Sequence, residues 1–216
     1  ALEFGVVDGG AGSTLTFVAP DFIVGGTNEI GAVRKPTKVI FDSGAVNFNV
    51  GGVGGAGGAE LSNAELVLIN ATNVDILTTG TLSLNGIDAT STANITGLID
   101  FDVTGNIVDG AANVFTKDAQ LKTNGNITLD SNFTSTTGEI TLTAGDTDGV
   151  GVVSIEGNAT VSTTDATKDI TITASDFNIA GTASLTAGSA AGYADAADVF
   201  LIAINNVDIG LNGGGF

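Results

Sequence analysis

Apolar and polar residues alternate along most of the chain in short runs, and turn-forming residues separate the runs. In "ITITASDFNI", at positions 170 to 179, apolar residues occupy every second position on either side of a short break. Alternation with a period of two is typical of β-strands, because successive side chains of a strand point to opposite faces. The pattern therefore predicts many short strands and no long helix.

A four-residue motif of Asn or Asp, an apolar residue, a polar residue and a second apolar residue recurs through the sequence. It reads "NVDI" at positions 73 to 76 and again at positions 206 to 209. Further copies, some of them imperfect, begin at Asp21, Ala45, Asp100, Asn132, Asn158 and Asp176. An alternating strand precedes nearly every copy and another follows several of them. One period therefore holds three strands and recurs roughly every 24 to 30 residues.

A period of this length with three short strands is the signature of a solenoid, in which each repeat stacks on its neighbours. We expect an all-β fold, a right-handed parallel β-helix of about eight coils, as one domain over residues 1–216. Residues 1–12 are expected to form an N-terminal strand or docking segment, and residues 211–216 a Gly-rich tail.

The recurring motif also predicts which residues stack. One inward column would hold Val74, Phe101, Phe133, Phe177 and Val207, and the next would hold Ile76, Val103, Ile179 and Ile209. The Asn and Asp residues that open each copy would form a ladder at the corners of the coils. The residue between the two apolar positions, such as Asp75 or Asp102, would point to solvent.

Charge and composition limit the classes of partner and metal ion that the protein could bind. With 24 acidic and 6 basic residues, the net charge of −18 argues against a nucleic-acid or anionic-membrane partner. The sequence has no Cys and no His, so a bound metal would need oxygen ligands. The main candidate is Ca²⁺ at Asp146 and Asp148, in the turn "AGDTDGVG", and Asp195 and Asp198 in "GYADAADV" form a similar loop. Two solvated aspartates in an ordinary turn are the alternative.

The chain has no Met, and Ala1 would suit the residue after a signal-peptidase cut. It also lacks a run of about 18 apolar residues, so no membrane insertion is expected. These features favour a secreted, extracellular protein.

The segments "GNITL" at 125 to 129, "GEITLTAG" at 138 to 145 and "ITITASDFNIAGTASLTAG" at 170 to 188 resemble β-helical repeats of filamentous-haemagglutinin-like exoproteins. These are large bacterial adhesins and fibres that are secreted by the two-partner route. The resemblance implies an extracellular, fibrous and surface-associated role.

Both ends of the sequence are apolar or Gly-rich and show no capping helix. Either the chain is cut from a longer solenoid, or copies stack head to tail into a fibre, sheath or adhesin in which they cover one another's ends. The expected assembly residues are a basic loop with Arg34, Lys35 and Lys38, together with the end residues Phe4, Val207, Ile209 and Phe216. In this interpretation the protein is not an enzyme and its partner is a copy of itself.

Three alternatives remain open. Asp75 and Asp102 on adjacent coils could form the carboxylate pair of a carbohydrate-active enzyme, although two solvated ladder residues are the simpler interpretation. The protein could instead bind a cell-surface polysaccharide, or ice through threonines. The pairs Thr141/Thr143 and Thr171/Thr173 are expected on different strands of the coil, which weakens the ice hypothesis. Asn70 and Asn94 are the freer of the glycosylation sequons.

Overall fold

The structure is a computed structural model, which describes residues 2–3, 6–25, 29–53, 58–188 and 198–209, with only the backbone of residues 204 and 206–209. Strands account for 49% of the molecule and helix for 2%, so the predicted all-β class is confirmed. Phe4, Phe216 and the Gly-rich tail lie outside the described residues. Among the described residues, no helix has the length and apolar character needed to span a bilayer.

The largest sheet contains two long stacks of parallel strands, which we name the first and second ladders. The first ladder consists, in order, of β2 (Thr14–Val18), β4 (Lys38–Asp42), β7 (Asn73–Thr78), β9 (Ile99–Val103), β12 (Ala119–Thr123), β15 (Ile140–Ala144) and the first halves of β18 (Ile170–Ile179) and β20 (Val199–Ile209). Every pairing in it is parallel.

The second ladder runs beside the first. It consists of β6 (Ala59–Leu61), β5 (Phe48–Val50), β8 (Leu82–Asn85), β10 (Ile107–Ala111), β13 (Ile127–Leu129), β16 (Val152–Ile155) and the second halves of β18 and β20. A third ladder is made of β11 (Asn113–Phe115), β14 (Phe133–Ser135), β17 (Thr160–Thr163) and β19 (Ser184–Thr186). At the N-terminal side, β1 (Leu2–Glu3) pairs with β3 (Phe22–Ile23).

The chain visits the ladders in a fixed order. It passes from β9 in the first ladder to β10 in the second and β11 in the third, and then returns to the first ladder at β12. The next two circuits repeat this order with β12, β13 and β14 and with β15, β16 and β17. Long parallel sheets connected in this way are compatible with a β-solenoid.

The apolar core lies between the ladders. Inward positions alternate with outer ones along each strand, and the largest of them are aromatic or branched: Phe41, Phe48, Phe101, Phe115 and Phe133 are all fully buried. The Phe115 and Phe133 rings lie 5.0 Å apart on adjacent strands of the third ladder. Burial of these side chains supplies the main stabilising free energy, as in other solenoids, where each repeat packs on the next.

The described side chains of the predicted inward columns are buried. The predicted pairs Phe177 with Val207 and Ile179 with Ile209 are confirmed, but the register of the other members is wrong. Val74 pairs with Ile99, whereas Phe101 pairs with Ile76. Phe133 lies in the third ladder, and Phe177 pairs with Val207 in the second. The repeated motif therefore marks similar strands in three different ladders. A pattern with a period of two gives the face of a strand but not the ladder to which the strand belongs.

The predicted corner role of Asn and Asp is confirmed at several positions. The Asn73 side-chain carbonyl accepts the N–H of Leu98 at 3.0 Å, and that of Asn132 accepts the N–H of Thr160 at 2.9 Å. The same contact recurs at positions outside the aligned motif, where Asn126 Oδ1 accepts the N–H of Val152 and Asn106 Oδ1 accepts the N–H of Asn126. These amides satisfy backbone donors at corners, where the strand pairing is interrupted.

Glycines stack at the corner between the first and second ladders. A Cβ on Gly125 would lie 2.9 Å from the carbonyl oxygen of Gly105, and a Cβ on Gly151 would lie 2.7 Å from that of Gly125. Buried hydroxyls occupy the inward side of the same corner. Thr78 donates to the carbonyl of Val46 at 2.6 Å, and Ser175 donates to that of Gly151 at 2.7 Å. At this corner the backbones of successive circuits therefore lie too close together for any residue but glycine.

One circuit contains an insertion. The strand after β5 is β6, which pairs with β5 in parallel. It lies on the side of β5 that faces β3. The short helix α1 (Asn63–Leu66) follows, where the Glu65 carboxylate accepts the N–H of Ser62 at 2.8 Å. The Glu65 carboxylate also accepts the N–H of Val24 at 3.1 Å and so ties the insertion to the preceding circuit.

Candidate functional site

The outer face of the first ladder carries the most concentrated charge chemistry in the described part of the chain. Two columns of outward side chains run along it. The first reads Thr16, Ile40, Asp75, Asp100, Gln120, Thr141, Thr171 and Phe200, and the second reads Val18, Asp42, Leu77, Asp102, Lys122, Thr143, Thr173 and Ile202. The face is charged in its middle, hydroxylated next to β20 and apolar at its margins.

Two lysines neutralise part of the charged middle. Lys38 Nζ lies 2.6 Å from Asp75 Oδ2, and Lys122 Nζ lies 3.1 Å from Asp146 and 3.7 Å from Asp102. The hydrogen bond with Asp146 raises the pKa of Lys122. Lys38 covers Asp75, which is only 8% exposed, so the prediction that Asp75 is solvated is wrong. An alternating strand predicts the direction of a side chain, but it does not predict what lies over it.

Asp75 and Asp100 form a direct pair on β7 and β9. Sequence reasoning had paired Asp75 with Asp102, but Asp102 lies opposite Leu77 and Lys122, so that pairing is wrong by two residues. Burial raises the pKa of Asp100 to about 6, and the negative charges of Asp75 and Asp102 add to the effect. Oδ1 of Asp75 and Oδ1 of Asp100 are buried without a hydrogen-bond partner.

The predicted basic loop is partly engaged by the chain itself. Lys38 binds Asp75, and Lys35 Nζ donates to Thr96 Oγ1 at 2.7 Å. Burial lowers the pKa of Lys35. The side chain of Arg34 is exposed, while its backbone N–H donates to Asp8 Oδ1 at 3.3 Å. The loop therefore contacts the two circuits that follow it, through Asp75 on β7 and Thr96 before β9. Only Arg34 of the three basic residues presents an exposed side chain.

The two candidate calcium ligands have different partners. Asp146 pairs with Lys122, whereas Asp148 Oδ1 accepts the N–H of Val150 within its own turn at 2.9 Å. Within the described ranges, no three carboxylate side chains are grouped closely enough to hold a metal ion. Calcium binding at this turn stays a prediction.

The predicted end residues are described in part. The backbones of Val207 and Ile209 lie in β20 and pair with Phe177 and Ile179. Their side chains, like Phe4 and Phe216, lie outside the described residues.

The threonines predicted on different strands of a coil lie side by side on one ladder. Thr141 pairs with Thr171, and Thr143 pairs with Thr173. Because the strands are adjacent, the four hydroxyls form a flat array of two by two on the outer face. The prediction that the two threonine pairs lie on different strands of a coil is therefore wrong. The cause is the same as for the pairing of Asp75 with Asp102, because alternation alone does not show to which ladder a strand belongs.

A shallow polar groove of about 320 Å³ lies on the outer side of the second ladder. Its lining includes two amide side chains and one hydroxyl, from Asn49, Asn85 and Ser83. This chemistry would suit a sugar hydroxyl, but no aromatic side chain lines the groove.

Two sequon asparagines are used inside the fold. Asn70 Nδ2 donates to the carbonyl of Gly31 at 3.1 Å, and Asn94 Nδ2 donates to that of Val67 at 2.8 Å. A glycan on either nitrogen would have to replace this contact, so neither amide is as free as the sequence suggested.

Comparisons with known proteins give the chain no family. No protein-family model matches it, and no curated protein or solved structure is significantly similar to it.

Proposed function

We propose that this protein is a structural subunit of an extracellular fibre, sheath or surface adhesin, which assembles by head-to-tail stacking of copies. In this proposal the chain is a right-handed β-helix of about eight coils, with three strands to a coil where the corners are complete. It acts through its length and its surface and not through catalysis, and the secreted location predicted from the sequence is part of the proposal.

The observation that carries the proposal is that the first ladder ends, on each side, in a strand with a single strand partner. Within the described residues, β2 pairs with β4 alone and β20 pairs with β18 alone. A parallel strand with one partner has backbone groups that a further strand can bind. Val199, Phe200 and Ile202 of β20 are 38%, 46% and 56% exposed, which adds apolar surface at that end. A second copy could extend the ladders without closing a ring, and such contacts generate filaments.

Electron microscopy of negatively stained protein, together with light scattering, tests assembly directly. We expect unbranched fibres whose abundance rises with protein concentration. The variant Leu201→Glu places a charge on an inward position of the last described strand, so it should give monomers. Thr171→Glu makes the same charge change on the outer face of the preceding strand and should leave fibres intact.

Circular dichroism must show the same strand content for both variants, so that a loss of fibres reports assembly and not unfolding. Monomeric wild-type protein at every concentration would contradict the proposal. Adding Ca²⁺ to the same samples tests the predicted site, because a calcium-dependent fibre that is lost in Asp148→Asn would place the ion in this turn.

A binding module is the second candidate function, and the threonine array favours it. A flat set of hydroxyls suits ordered water or a polysaccharide chain. Thermal hysteresis that disappears in a Thr143→Val and Thr173→Val double variant would support ice binding. Retention on a polysaccharide column that disappears in the same variant would support glycan binding.

A carbohydrate-active enzyme is the weakest of the candidates. Its acid and base would be Asp100 and Asp75, but Asp75 is buried under Lys38 and so has little access to a sugar.

A further inference from the structure

Three buried side-chain oxygen atoms have no hydrogen-bond partner in the described part of the chain, and all three belong to aspartates. They are Oδ1 of Asp75, Oδ1 of Asp100 and Oδ2 of Asp109. Buried acceptors are almost always satisfied in folded proteins, so each such atom requires an explanation. Two of the three lie on residues that face each other on adjacent strands, Asp75 and Asp100.

An ionised carboxylate has acceptors only, so two ionised neighbours cannot satisfy each other. A single proton changes this, because it removes one of the two buried negative charges and gives that carboxyl group an O–H donor. Adjacent strands are about 4.8 Å apart, which brings outward carboxyl groups on paired residues close enough for the charge of each to act on the other. The geometry thus fits one protonated and one ionised member.

We propose that Asp75 and Asp100 form a proton-binding pair on the outer face of the first ladder, in which one of the two carboxyl groups takes up a proton. Lys38 Nζ occupies Asp75 Oδ2 at 2.6 Å, so we place the proton on Asp100. The site is independent of the assembly proposed above, since it needs only the ladder register.

The charged groups around Asp100 are placed on four strands. Lys38 on β4 and Lys122 on β12 favour its ionised form, while Asp75 on β7 and Asp102 on β9 favour its protonated form. Burial is the largest effect and also favours the protonated form, which leaves the pKa of Asp100 raised to about 6. Asp42 and Asp146 lie in the same face, the latter held by Lys122.

A proton explains the pair better than a metal ion does. No group of three metal-ligating side chains occurs in the described residues, and Lys38 already places a cation on Asp75. Hard divalent cations require about six oxygen ligands, more than this pair offers.

Carbon-detected NMR of the side-chain carboxyl groups measures the pKa of Asp100 directly. We expect a midpoint near 6 in the wild-type protein. In Asp75→Asn the negative charge beside Asp100 is gone while the burial of Asp100 stays, so the midpoint should fall from its wild-type value. Asp102→Asn, two residues away on the same face, is the matched control and should keep a midpoint above 5.

Two outcomes would overturn the proposal. The first is an ordinary midpoint near 4 for Asp100 in the wild-type protein. The second is a shift of the Asp75 and Asp100 resonances on addition of millimolar Ca²⁺ at pH 7, which would assign the pair to a cation.

Denaturant unfolding gives an independent readout. Since the folded-state pKa of Asp100 is raised, its stabilising effect is complete below pH 4 and is lost as pH rises through 6. The unfolding equilibrium constant should therefore rise by up to about 100-fold over this range from Asp100 alone. Asp100→Asn should remove that part of the pH dependence, whereas Asp102→Asn should retain it.

Discussion

Asp109 illustrates how a single buried residue can set the pH response of a solenoid. It occupies an inward position of β10 opposite Leu84, is 6% exposed, and accepts the N–H of Asp130 at 2.7 Å through Oδ1. Its Oδ2 has no partner. Burial raises the pKa of Asp109 to about 7, against the lowering effect of the Asp130 N–H, and the nearby Asp130 carboxyl group adds to the rise.

Asp109→Asn should stabilise the protein at alkaline pH. The amide keeps the acceptor for Asp130 N–H and removes the buried negative charge, so we expect a gain of about 2 kcal/mol in unfolding free energy at pH 8. At pH 5 the wild-type carboxyl is already protonated and the gain should be small. Urea unfolding at both pH values checks this. An equal effect at both would show that ionisation of Asp109 is not the cause.

For single residues, the sequence predicted correctly whether many side chains point inward or outward, but it did not predict which residues contact them. Val74, Phe101 and Phe133 are inward and buried as expected. The cover over Asp75 could not be predicted, because Lys38 is far away in the sequence and reaches it only through the strand pairing of β4 with β7.

The corner glycines are the most restrictive feature at the scale of single elements. Gly80, Gly105, Gly125 and Gly151 stack where the first ladder passes into the second, and each would place a Cβ against the backbone of the preceding circuit. Four successive circuits can turn this corner in the same way only if each keeps a hydrogen at that position.

Gly125→Ala should cost about 3 kcal/mol of unfolding free energy, since a new Cβ would lie 2.9 Å from the Gly105 carbonyl oxygen and neither backbone can move alone. The control is Gly10→Ala, because a Cβ there would meet nothing within 4 Å. Thermal unfolding of both variants gives the comparison. Equal melting temperatures would mean that the corner can relax.

The same glycines explain why the register was missed. Gly105 and Gly125 each precede by two residues an inward isoleucine of the second ladder, Ile107 or Ile127. Alignment on these glycines would have placed the strands in the correct ladder. Alignment on Asn or Asp could not have done this, because such residues lie at the corners of all three ladders. Asn73 precedes a strand of the first ladder, Asn126 one of the second and Asn132 one of the third.

At the scale of the whole molecule, the large negative charge is the main property that sets how stability depends on salt. The sequence has 24 acidic residues and only 6 basic ones, which gives a net charge of −18 and leaves too few cations to pair with most carboxylates. Repulsion between like charges disfavours the compact state and is screened by salt.

Raising NaCl from about 20 mM to about 200 mM should therefore increase the urea midpoint. CaCl₂ at equal ionic strength is the control, because a larger increase with calcium would indicate specific binding, for which Asp146 and Asp148 are the candidates. A midpoint that falls with NaCl would mean that the lysine ion pairs outweigh the repulsion.

The inserted strand β6 has a consequence for shape. In the first ladder β4 pairs directly with β7, whereas β6 lies between β3 and β5, the strands that precede β4 and β7 along the chain. One side of the stack is therefore longer by one strand spacing, about 4.8 Å, over the same two circuits. We expect the insertion to act as a wedge and to tilt the axis toward the shorter side. If copies join end to end, each subunit adds the same bend, and the resulting filament is a superhelix with a defined pitch instead of a straight rod.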